Sequence, residues 1–143
     1  MRLVRFFLVI IALVLSIACH AQVVAISQLA NTKWKLAKPV FGYCEKTMSF
    51  TNTAVTNTSS FHYVKRGETK ETKRFFSNSY PFYLATAIPT TFNQNLVGKS
   101  SSGTYILKYV DKRVVAFKVL GISSAQLKLS TPQGDVLVYD KVY

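Results

Sequence analysis

The sequence predicts an all-β fold, an up-and-down antiparallel barrel of about eight strands behind an N-terminal signal segment. Three observations carry that expectation. Beyond residue 30 the apolar residues recur with period two, and no stretch keeps a helical period. Turn-forming residues fall between these runs: Gly67, Gly98, Gly103, Asp111-Lys112, Gly121 and Gln133-Gly134-Asp135. Finally, 143 residues with 49% hydrophobic and 17% charged content are enough for one packed domain, which excludes both a multidomain enzyme and a disordered chain.

The first element is the signal. Arg2 and Arg5 precede residues 6–18, which are apolar except for Ser16. At ~1.5 Å per residue this run reaches roughly 20 Å, short of the ~30 Å hydrocarbon core, so a secretory signal is expected rather than a membrane-spanning helix. Two cleavage readings stay open. Cutting after Ala21 places Cys19 and Ala21 where a signal peptidase reads small residues, giving a signal peptide of residues 1–21. The alternative resembles a bacterial lipobox, Ser16-Ile17-Ala18-Cys19, with residues 1–18 removed and Cys19 lipidated. The expected product is a single domain, residues 22–143, that is periplasmic or secreted, or an outer-membrane lipoprotein held through Cys19.

The strands follow in order. Residues 22–30 suggest one helical turn. Trp34 and Leu36 alternate with lysines, Met48 and Phe50 with polar residues, and Phe61 and Tyr63 with Ser60, His62 and Val64. Tyr105, Leu107 and Tyr109 share one phase, as do Val115, Phe117 and Val119, and Ala125, Leu127 and Leu129. Strands are therefore predicted near 33–38, 46–52, 55–65, 71–77, 81–86, 103–110, 113–120, 124–130 and 136–142, each with a buried face. Pro81 and Pro89 interrupt the pattern, and 86–95 reads as a loop, either a lid at one barrel rim or an ordinary packed connection. The last strand is apolar on both faces and could pair with the Trp34 strand to close the ring. Cys44 reads as a small buried residue.

Three segments carry a likeness: Leu29-Ala30-Asn31-Thr32-Lys33-Trp34-Lys35-Leu36, then Tyr83-Leu84-Ala85-Thr86-Ala87-Ile88-Pro89-Thr90-Thr91-Phe92, and Val97-Gly98-Lys99 with Gly103-Thr104-Tyr105-Ile106. Together they resemble the small exported lipocalin-like (calycin-type) proteins of Bacteroidota. The resemblance implies a barrel with an apolar interior and Trp34 as a plug at its floor. Classical lipocalins have a glycine two residues before the tryptophan and pack an arginine of a late strand over the indole; here Thr32 stands at the first place and the last strand offers only Lys141.

The chemistry on offer is sparse. His62 is the sole histidine after residue 20, and the six acids include no pair spaced to act on one point. No catalytic residues, metal ligands or cofactors are expected, and the chain reads as a non-enzyme. A small hydrophobic or amphipathic ligand would be lined by Phe61, Tyr63, Tyr105, Tyr109 and Phe117, the aromatics on the inward phase. The alternative is a cell-envelope structural or interaction protein. Its net charge is +12, and the hairpin at 65–74 offers Lys65, Arg66, Lys73 and Arg74 to an anionic glycan or lipid. Nucleic acid is not an expected partner, and the protein reads as a monomer. Lys141 and the prolines between 81 and 89 weigh against an outer-membrane barrel, although Tyr143 is the kind of C-terminal aromatic that such barrels carry.

Overall fold

A computed structural model describes residues 21–39 and 41–143. The signal segment and Cys19, with both cleavage readings, lie outside the described residues. The chain runs β1 (Val24–Ala25), α1 (Ile26–Leu29), β2 (Thr32–Leu36), β3 (Cys44–Phe50), β4 (Ala54–Val64), β5 (Glu71–Ala85), a 3-10 turn (Gln94–Leu96), β6 (Ser102–Gly103), β7 (Tyr105–Val110), β8 (Arg113–Ile122), β9 (Gln126–Ser130) and β10 (Val136–Lys141). Eight strands close into an antiparallel barrel in the order β10-β2-β3-β4-β5-β7-β8-β9, while β1 and β6 form a separate two-stranded ribbon. This is the up-and-down antiparallel barrel that the periodicity predicts, and it is consistent with a lipocalin-like architecture.

Closure is made where it was expected. β10 pairs with β2 through Tyr139↔Leu36 and Lys141↔Trp34, and with β9 on its other side, so neither terminal strand is left as an edge. Pairing partners share a face, which fixes what points inward. Trp34, Met48, Phe50, Val55, Phe82, Leu84, Ile106, Val119, Leu127 and Leu129 form one buried cluster, joined by Val24 and Leu29. Phe50 and Phe82 meet edge to face at 5.4 Å, the geometry that aromatic quadrupoles favour. Near Gly121 a bulge shifts the β8–β9 register, so the inner face passes from Val119 to Ile122.

Trp34 is fully buried, and its polar edge is satisfied locally. The indole Nε1–H donates to Thr32 Oγ1 at 2.8 Å, and that hydroxyl donates to the Leu29 carbonyl. Thr32 is thus the relay that makes indole burial tolerable. Lys141 Nζ lies 5.5 Å from the indole ring centroid, within cation–π range.

Two expectations about strands are corrected. The runs at 71–77 and 81–86 are one fifteen-residue strand, β5, with Pro81 inside it. Backbone groups alternate between a strand's two edges, and the Phe82 N–H donates to Thr53 on the β4 side. Pro81 therefore faces the opposite edge, which pairs with β7 only from Phe82 onward, so its missing N–H leaves no acceptor waiting.

The second correction concerns phase in β7. Tyr105 and Tyr109 point outward, because Ile106 and Lys108 pair across the inner face with Leu84 and Phe82. Leu107 is fully buried on the outer side. The connection at 86–101 covers that side: Phe92 sits 4.9 Å from Tyr83 and 5.0 Å from Tyr109, and the Asn93 N–H donates to the Tyr83 hydroxyl. The segment at 86–95 is a packed connection. A strand buried on both faces loses the alternation that would reveal its phase.

Candidate functional site

The register separates the two ends of the barrel. At one end Trp34, Phe50, Val55, Leu84 and Leu127 are packed solid and capped by Val24 and Leu29. At the other, the inner faces of β4, β5, β7, β8 and β10 carry Phe61, Phe76, Tyr80, Lys108, Phe117 and Leu137. Phe61 and Phe76 are in edge contact at 5.7 Å, and Phe76 is 56% exposed. This end is aromatic and open to solvent.

Lys108 stands at the transition. It is only 6% exposed, and its inner-face neighbours are Phe82 and Val115. The ammonium lies 4.4 Å from the Phe117 ring centroid and 5.7 Å from that of Tyr80. Among the described residues the ion pairs are Lys35 with Glu45 at 3.0 Å and His62 with Glu71 at 3.3 Å, and neither involves Lys108. Burial pushes its ammonium down from the usual lysine value to about 8. Ring faces compensate part of the lost hydration, and no carboxylate among the described residues compensates the rest. Tyr139, also inward, has its phenol pushed up by burial.

Of the residues expected to line a ligand, the structure brings Phe61 and Phe117 to the inner face and leaves Tyr105 and Tyr109 outside. Tyr63 shares the phase of Phe61 further out, with Arg74 6.0 Å from its ring centroid. Lys108 was missed by sequence reading. The available signal was a cation embedded in Ile106-Leu107-Lys108-Tyr109-Val110, obscured because the larger residues around it suggested the opposite phase.

The four cations expected to contact an anion do not converge. Lys65 and Arg66 occupy the hairpin connection, Lys73 pairs with His62 on the outer face, and Arg74 pairs with Phe61 on the inner face. What the outer face of β2–β5 does offer is a cleft of about 480 Å³ with Lys35, Tyr43, Glu45, His62 and Glu71 on its walls. A smaller hollow of about 240 Å³ adjoins it across Glu45 and His62, flanked by Lys33, Lys73 and Phe75. His62 is thus an outer-face residue, held to Ser60 and Glu71.

Cys44 is buried and, among the described residues, has no disulfide partner. Among the described residues no three His, Cys, Asp or Glu side chains cluster as metal ligands, and no helix is long and apolar enough to cross a membrane.

The fold and the lysine at its open end define a small closed β-barrel with a filled floor and an aromatic mouth. Compared with known proteins, the chain matches no family model, no curated protein and no solved structure.

Proposed function

We propose that this is a non-enzymatic exported binding protein of the lipocalin-like type, taking a small amphipathic ligand with an acidic head at the open end of its barrel. One observation carries the reading: Lys108 is buried among aromatic rings without a carboxylate partner among the described residues. A cation stripped of water at the root of an apolar mouth gains most from an incoming anion, and the surrounding rings suit that anion's apolar tail. The site would act by binding alone.

The test is titration of the protein with a fluorescent long-chain polyene acid and with its methyl ester. The acid is expected to bind at least about tenfold more tightly, and Lys108→Met to abolish the difference. Affinity for the acid should fall as pH rises past 8, where the empty site's lysine loses its proton. Equal binding of acid and ester, or binding of neither, would overturn the reading.

A second reading, contact with anionic envelope glycan or lipid, is supported by the exposed cations on the β4–β5 hairpin together with Lys33, Lys35 and Lys73 on the adjoining outer face. Salt-sensitive retention on lipopolysaccharide, lost when Lys65, Arg66 and Lys73 are replaced by glutamine, is the result it requires.

A further inference from the structure

The β4–β5 hairpin outruns the barrel. β4 pairs with β5 from Ala54↔Pro81 to Val64↔Glu71, whereas β7 pairs with β5 only over Phe82↔Lys108 to Ala85↔Tyr105. Because the Phe82 N–H is directed to the β4 side, even-numbered residues of β5 address β4 and odd-numbered residues address the other edge. Glu71, Lys73, Phe75, Ser77 and Ser79 consequently present their N–H and C=O groups along an edge that no strand covers among the described residues. At ~3.3 Å per residue the ten positions 71–80 extend for roughly 30 Å.

Proteins ordinarily blunt such an edge with a bulge, a short strand or a covering loop. This one carries Lys73 and, at its inner limit, Pro81. It also carries Phe75 and Phe76, 66% and 56% exposed, on opposite faces of the strand.

We propose that the free edge of β5 is a docking site for an extended acidic segment of a partner protein, which adds as a strand. Charge decides the occupant. Within 65–74 five cations, Lys65, Arg66, Lys70, Lys73 and Arg74, face two acids, Glu68 and Glu71, and the whole chain carries +12. A second copy of this chain would bring the same sign to the contact, while an acidic strand complements it. Lys73 and Arg74 project to opposite faces, as do Phe75 and Phe76. The incoming strand therefore meets a cation and then a ring on each side: main-chain bonds supply affinity, and alternate carboxylate and apolar side chains supply selectivity. The edge meets the rim of the mouth at Phe76 and does not include Lys108.

The experiment pans a displayed library of random nonapeptides against residues 22–143 and follows the selected peptides by amide hydrogen exchange and fluorescence anisotropy. Acidic sequences rich in β-branched residues should be selected. Their binding should protect the amides of Lys73, Phe75, Ser77 and Ser79 while leaving those of Arg74, Phe76 and Asn78, already turned to β4, unchanged. Ser77→Pro removes one free-edge N–H and should weaken binding about tenfold. Phe75→Ser, which leaves the backbone untouched, should weaken it as well, and Lys108→Met should not. Selection of neutral or basic peptides, protection elsewhere, or no selection would overturn the proposal. So would sedimentation as a dimer with the odd-numbered amides protected in the absence of peptide, which would assign the edge to a second copy.

Discussion

Thr32 and Lys108 show how much single side chains decide here. Replacing Thr32 with valine keeps shape and volume but leaves the Trp34 N–H buried without an acceptor. The expected cost is about 1–3 kcal/mol in urea unfolding, and Thr32→Ser should restore most of it. Lys108 works in the opposite direction. Its folded-state value, about 8, lies below the lysine value of 10.5, so the unfolded chain binds more protons between those limits. Stability should therefore rise as pH increases from 8 and should be lowest below 8, where the buried charge is fully present. At ~1.4 kcal/mol per unit the penalty is about 3 kcal/mol. Lys108→Met should raise the thermal midpoint at pH 7 and flatten the rise between pH 8 and 9.5. Above pH 10 the raised phenol of Tyr139 acts in the reverse sense, and stability falls.

At the scale of elements, turns and coverings decide phase and register. Asp111 and Lys112 both have positive φ, 48° and 62°, in the two-residue connection between β7 and β8, the form that type I′ hairpins take. Lysine is a poor occupant of that region, and Lys112→Gly is expected to stabilise by about 0.5–1 kcal/mol in thermal or urea unfolding. Phase was legible for β2, β4, β8 and β9, where one face meets the core and the other meets water, as in Phe61 against His62. It was illegible for β7, because the 86–101 connection buries Leu107 and covers Tyr109 through Phe92. Nothing local in Tyr105 to Val110 announces that cover. The continuity of β5 through Pro81 was hidden for a related reason: proline reads as a break until the neighbour that would need its N–H is known to be absent. The candidate site suffered twice, since losing the phase of β7 brought in Tyr105 and Tyr109 and left out Lys108.

For the molecule as a whole, closure is the central physical fact. β10 bonds to both β2 and β9, so a chain ending at residue 135 would expose two edges and one side of the core around Trp34. Such a chain is expected to sediment as aggregate or as unfolded monomer, whereas the full domain gives a single cooperative transition. The amino-acid order alone determined the all-β class, the strand number to within one and the closing partner of the last strand, because alternation and turn chemistry are local properties of the chain. Tertiary structure alone decided which face of β7 looks inward and, among the described residues, that the open end holds a lysine without a counterion and that one edge of the long hairpin stays unpaired. Each of these depends on which distant segment lies alongside, and neither the period of a strand nor the identity of its residues encodes that.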